Sequence, residues 1–143
     1  MSNIKRASTL LRRGAALMLT AAGLLAGTAQ AEEPLLVKAE AENGTTLGRA
    51  RVNGAVVTGF EKAGDGVQVT LNVPEAGHYD VVVRQASVGG GQKINPVEVN
   101  GQNVGDITSP DNKWSDGVVE YVWMEQGENT VSVLTSWGWI NVD

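Results

Sequence analysis

The chain has 143 residues, 16 acidic and 11 basic, with one His and no Cys. Without cysteine there is no disulfide framework, thiolate metal site or thiol nucleophile. Four basic residues and no acidic ones precede Glu32, so residues 32–143 hold seven basic against 16 acidic, a balance of −9. Such a field disfavours nucleic acid and anionic membranes as partners and favours a divalent cation.

The N-terminus reads as a targeting segment. Lys5, Arg6, Arg12 and Arg13 form a positive region, Gly14 to Leu25 is apolar, and Ala29-Gln30-Ala31 supplies small residues for cleavage. The expectation is a signal peptide over 1–31, cleaved after Ala31, and a secreted or periplasmic product. The apolar run is short for a membrane span, so no span is expected after cleavage. Residues 32–143 are then one domain, expected as a monomer.

The rest reads as all-β. Leu35–Glu42, Val67–Val73, His78–Ala86, Pro96–Asn100, Val118–Met124 and Asn129–Thr135 follow period-two logic and are rich in Val, Thr and aromatics. Turn signals separate them at Pro74–Gly77, Asn100-Gly101 and Glu125–Asn129. About eight short strands at this spacing predict an antiparallel two-sheet β-sandwich. Ser87–Pro96, with three consecutive glycines, reads as a long loop. It is either a solvated connection or a place where a ligand approaches the backbone.

Acidic and aromatic residues carry the candidate chemistry. Glu40 and Glu42 are two apart on a predicted strand, so both leave one face. They are either solvated or share a cation, and Asp143 joins them if the last strand lies beside the first. Ca²⁺ needs six to eight oxygens, which carboxylates and carbonyls supply. Five of the seven aromatic residues follow residue 113. Tyr121 and Trp123 share a strand face with Val119 and read as core or sheet-surface packing. Trp114 lies in a polar loop, and Trp137 and Trp139 flank Gly138 at a loop-to-strand junction. An indole face packs on the C–H face of a pyranose while amides and charged groups bond its rim. His78, the single His, reads as structural, and no Ser-His-Asp order is present.

Taken in order, these segments resemble carbohydrate-binding modules of family 35 and the related family 6. "KAEAENG" (38–44) resembles the opening acidic strand, and "GDGVQVTLNVPEAGHYDVVVRQA" (64–86) the middle strands. "PVEVNGQNVGDI" (96–107) resembles a central hairpin, "KWSDG" (113–117) the loop tryptophan, and "EQGENTVSVLTS" (125–136) with "WGWINVD" (137–143) the closing strands. The resemblance implies a galactose-binding-like jelly-roll sandwich without catalytic activity. It implies Ca²⁺ at Glu40, Glu42 and Asp143, and sugar contacts at Trp114, Trp137 and Asn141. Trp139 and Lys93 complete the candidate ligand-binding set, Lys93 or Lys113 as a cation for an acidic sugar. The expected partner is a polysaccharide, uronic-acid-containing or neutral, of plant, algal or bacterial origin. Gln85 stands after Arg84 where the family often has Tyr, removing one candidate ring. Asn141 and Asp143 share a face by alternation, so separate roles require a bend at Val142. The alternatives are a structural or protein-binding sandwich and, less favoured, a small glycan-degrading enzyme.

Overall fold

The computed structural model describes residues 5–8, 35–136 and 139–143, and is almost wholly strand. In chain order these are β1 (Lys5–Ser8), β2 (Leu36–Lys38), a 3-10 turn (Ala41–Asn43), β3 (Thr45–Leu47), β4 (Arg51–Asn53), β5 (Val56–Thr58) and β6 (Gly66–Val73). There follow β7 (Gly77–Ser87), β8 (Lys93–Val99), β9 (Gln102–Ser109), β10 (Ser115–Met124), β11 (Gly127–Leu134) and β12 (Ile140–Val142). One sheet runs β2-β1-β7-β12-β5-β4 with β10 on the other flank of β7; the second runs β3-β6-β11-β8-β9. Every pairing is antiparallel except those of β1, which runs parallel to both β2 and β7.

Alternation builds the core. Val67, Val69, Leu71 and Val73 of β6 point inward and are at most 4% exposed. They meet Tyr79, Val81 and Val83 of β7 and Val119, Val122 and Met124 of β10 in one cluster. Each such side chain contributes about 1.5–3 kcal/mol by leaving water. Tyr79 is fully buried, and its hydroxyl donates to the Glu75 carbonyl at 2.7 Å. The expected Asn100-Gly101 turn joins β8 to β9 with φ of 50° and 79°, the left-handed pair that tight hairpins favour.

Several boundaries differ from the sequence expectation. The first predicted strand stops at Lys38, so Glu40 and Glu42 do not alternate on a strand. Glu40 precedes the 3-10 turn and Glu42 lies within it. The glycine-rich loop shrinks to 88–92, because β8 starts at Lys93. Gly89, Gly90 and Gly91 all take φ between 77° and 83°, a conformation that side chains oppose. Gln85 is fully buried, so position 85 points between the sheets and a ring there would not face a ligand.

The largest difference is in β10. Residues 119 and 122 pair with 81 and 79, which inserts one extra residue, a β-bulge. Tyr121 sits in the bulge at φ 60° and donates its N–H to Asp80 Oδ1 at 3.2 Å. The extra residue reverses the alternation. Val119 points inward at 8% exposure, while Tyr121 and Trp123 stand outward at 56% and 51%. They do not share a face with Val119, and they are not core.

A buried carboxylate ties the loops beneath the sheets. Asp65 accepts N–H bonds from Arg49 (2.9 Å), Glu61 (3.1 Å) and Lys62 (2.7 Å). The Arg49 N–H bond, aided by those of Lys62 and Glu61, holds its carboxyl below the usual carboxylate range against the opposing effect of burial. Gly48, at φ 62°, has no room for a Cβ, which would stand 2.2 Å from Asp65 Oδ1.

Four residues of the expected leader, Lys5–Ser8, form β1; the rest of that segment lies outside the described residues.

Candidate functional site

The acidic site is assembled from the two ends of the described domain. One carboxylate oxygen each from Glu40, Glu42 and Asp143 lies within 4.8 Å of the others. β2 and β12 do not hydrogen-bond to one another: β2 pairs with β1, and β12 pairs with β7 and β5. What brings Asp143 to the cluster is the register of β12 on β7, where Asp143 N–H donates to the Arg84 carbonyl at 3.0 Å.

The three carboxylates are unequally compensated. Lys38 Nζ contacts Glu40 Oε1, and Arg84 Nε lies 3.3 Å from Asp143 Oδ2. Glu42 Oε2 is buried and accepts no hydrogen bond. An anionic oxygen taken out of water without a partner is costly, and a cation is the group that removes the cost. Partly buried, all-oxygen donors suit a hard ion such as Ca²⁺. Glu40, Glu42 and Asp143 would hold it.

Arg84 connects this cluster to an aromatic surface, which sequence reasoning missed. Its guanidinium lies 5.5 Å from the centre of the Trp114 ring, a cation–π distance. Trp114 is 41% exposed. Asp116 pairs with Arg84 across β10 and β7, so Trp114 precedes an outward strand position. The one available signal was parity: Arg84, Asp116 and Asp143 share the outward register.

The loops around Trp114 are fixed by side chains rather than left free. Ser87 Oγ donates to the Pro110 carbonyl at 2.7 Å and accepts from Asn112 N–H at 2.8 Å. Gly90 and Gly91 N–H groups donate to Asn112 Oδ1 and Asp111 Oδ1 at 3.2 and 2.8 Å. Glycine therefore serves here to bring one loop backbone against the other.

Beside this surface, Trp139 and Asn141 share a hollow of about 180 Å³ with Arg51, Thr58, Glu61 and Val88. Trp139 is 52% exposed, and its carbonyl accepts from Val88 N–H at 2.9 Å. The expected bend at Val142 is not found. Val142 is buried, and pairs with Gln85 and Val57, between half-buried Asn141 and Asp143. Asn141 and Asp143 therefore lie on one face, and the acidic cluster adjoins the hollow. Lys93 opens β8 on the other sheet, opposite Ser109, and does not line the hollow. Trp137 lies outside the described residues.

This geometry offers exposed indoles, an amide and a guanidinium beside a cluster of carboxylate oxygens that could hold a cation. The sequence profile of "Carbohydrate binding module (family 35)" matches residues 28–143. A mannan endo-1,4-beta-mannosidase B from Piromyces sp is 42% identical over 114 residues, 73% of this chain and 20% of that protein. The chain thus spans about a fifth of that relative's length. Podospora anserina GH26-CBM35 beta-(1,4)-mannanase has the same fold (TM-score 0.64, 23% identity, 73% of this chain and 25% of that one). So does a carbohydrate-binding module, CBM36, solved with calcium and xylotriose (TM-score 0.59, 17% identity, 73% of this chain and 92% of that one). A profile match over this much of the sequence decides the family: the chain belongs to carbohydrate-binding module family 35.

Proposed function

We propose that the chain is an exported, non-catalytic module that binds a neutral polysaccharide of the β-1,4-mannan type, with Ca²⁺ held by Glu40, Glu42 and Asp143. The observation that carries this reading is the path from the acidic cluster through Arg84 to Trp114. An ion there fixes Asp143, Asp143 fixes Arg84, and Arg84 lies over one face of the indole. The calcium is structural: it sets the platform and touches no reacting bond. Trp114 offers a ring face for a pyranose, and Trp139 and Asn141 offer a second ring and an amide in the adjoining hollow.

A neutral glycan suits the charge. With −9 over residues 32–143, a uronic acid would meet net repulsion. The mannan preference is supported by the 42% identical Piromyces protein, a mannan endo-1,4-beta-mannosidase of which this chain matches a fifth. Export rests on the N-terminal pattern. Cleavage after Ala31 would also remove β1 from its place between β2 and β7.

The test is depletion of purified protein by insoluble mannan, xylan and cellulose in Ca²⁺ and again in EGTA, with calcium alginate gel as a further matrix in Ca²⁺ only. Retention on mannan that falls in EGTA, without release of reducing ends, is expected. No retention on any polysaccharide in Ca²⁺ overturns the proposal.

A further inference from the structure

The bulge in β10 makes a second aromatic surface, far from Trp114. His78 and Tyr121 stack with ring centres 3.9 Å apart and planes within 8°. Trp123 meets His78 edge-on, with ring centres at 5.1 Å and planes at 74°. Its indole N–H donates to Glu125 Oε1 at 2.8 Å, which fixes the ring. More than half of each of Tyr121 and Trp123 remains exposed. These rings line a cleft of about 410 Å³ between the β10 edge and the β8–β9 hairpin, with Gln102, Glu120 and Glu125 on its rim.

Three features argue against mere surface packing. Unbroken alternation from Val118 would turn residues 121 and 123 inward, so the bulge is what exposes both rings. It does so by holding a tyrosine at positive φ, a conformation that costs about 1–3 kcal/mol for a side chain of this kind. Lastly, an aromatic floor with amide and carboxylate neighbours suits a neutral pyranose, while the carboxylates repel an anionic sugar.

We infer that Tyr121, Trp123 and the His78 beneath them form a second glycan contact, specific for an uncharged sugar. Asp116, Val118, Glu120, Tyr121 and Trp123 point outward along β10, and exposed Trp114 immediately precedes the strand. At about 3.4 Å per residue the two aromatic ends are about 27 Å apart. A polysaccharide is long enough to engage both ends, so the second contact adds avidity rather than a separate specificity. This inference rests on the neutral-glycan reading above.

Indole N–H resonances separate the two sites. Titration of ¹⁵N-labelled protein in Ca²⁺ with β-1,4-linked mannohexaose, with Trp123 assigned through Trp123→Phe, is expected to shift the Trp123 signal. That shift persists in Trp114→Ala. On insoluble mannan, Trp123→Ala and Tyr121→Asn, which tolerates positive φ, are each expected to weaken apparent affinity about three- to tenfold, with melting transitions checked alongside. A Trp123 signal that stays fixed while Trp114 shifts overturns the second contact and leaves the proposed function standing. If both signals stay fixed at millimolar sugar, both fall.

Discussion

Replacing Glu42 by Gln should change the sign of its effect with calcium. In the absence of cation the three carboxylates, within 4.8 Å of one another, repel by about 1–3.5 kcal/mol per pair for an effective dielectric between 80 and 20. Lys38 and Arg84 offset the charges of Glu40 and Asp143. Glu42 Oε2 is buried without a partner. Removing its charge should therefore stabilise the calcium-free protein, by about 1–2 kcal/mol once solvent screening is allowed for. With free Ca²⁺ a hundredfold above its Kd, the wild type should gain about 2.7 kcal/mol, near 10 °C in Tm for a domain of this size. Glu42→Gln should lose most of that gain. Differential scanning calorimetry in EGTA and in Ca²⁺ reads both effects, and the two melting curves should exchange order. A variant equally destabilised in both buffers would refute the reasoning, because Glu42 would then act through packing alone.

Three other residues give independent checks. Asp65 has a carboxyl pKa below its unfolded value of about 3.9. Its contribution is complete above pH 4 and is lost as pH falls through the lowered folded pKa. Asp65→Asn should thus be less stable at pH 7 and lose less stability than wild type between pH 4 and pH 2, read by urea melts across that range. Gly48→Ala places a methyl against the same carboxylate at φ 62° and should cost about 2 kcal/mol or more, measured by the shift in urea midpoint. Gln85 is fully buried with neither amide atom bonded within the described protein. Gln85→Met should raise stability by about 1 kcal/mol; a fall would show that internal water bridges the amide.

What the sequence reveals here depends on how local the signal is. The strict alternation of Val67 to Val73 and the Asn100-Gly101 turn are properties of a few neighbouring residues, and the fold follows them closely. Glu40, Glu42 and Asp143 are readable by type as candidate cation ligands. Their convergence, however, comes from a 3-10 turn and from the register of β12, neither of which alternation encodes. The short strands β3, β4 and β5 lack a periodic signature at three residues each. The β10 bulge defeated pattern reading outright. One inserted residue reverses every later side chain, and the Asp80 carboxylate that accepts the Tyr121 N–H lies 41 residues away in sequence. Arg84, as the link between the acidic cluster and the indole, leaves no local signal because its partners lie 59 and 30 residues away in sequence.

An ion gripped at the acidic cluster should support a sugar on Trp114. Calorimetric titration of mannohexaose into wild type and Trp114→Ala, each in Ca²⁺ and in EGTA, measures this directly. The wild type in Ca²⁺ should bind with a measurable Kd, weakened at least about tenfold by Trp114→Ala and weakened again by EGTA. Equal affinity in all four titrations, or no heat in any of them, would contradict it.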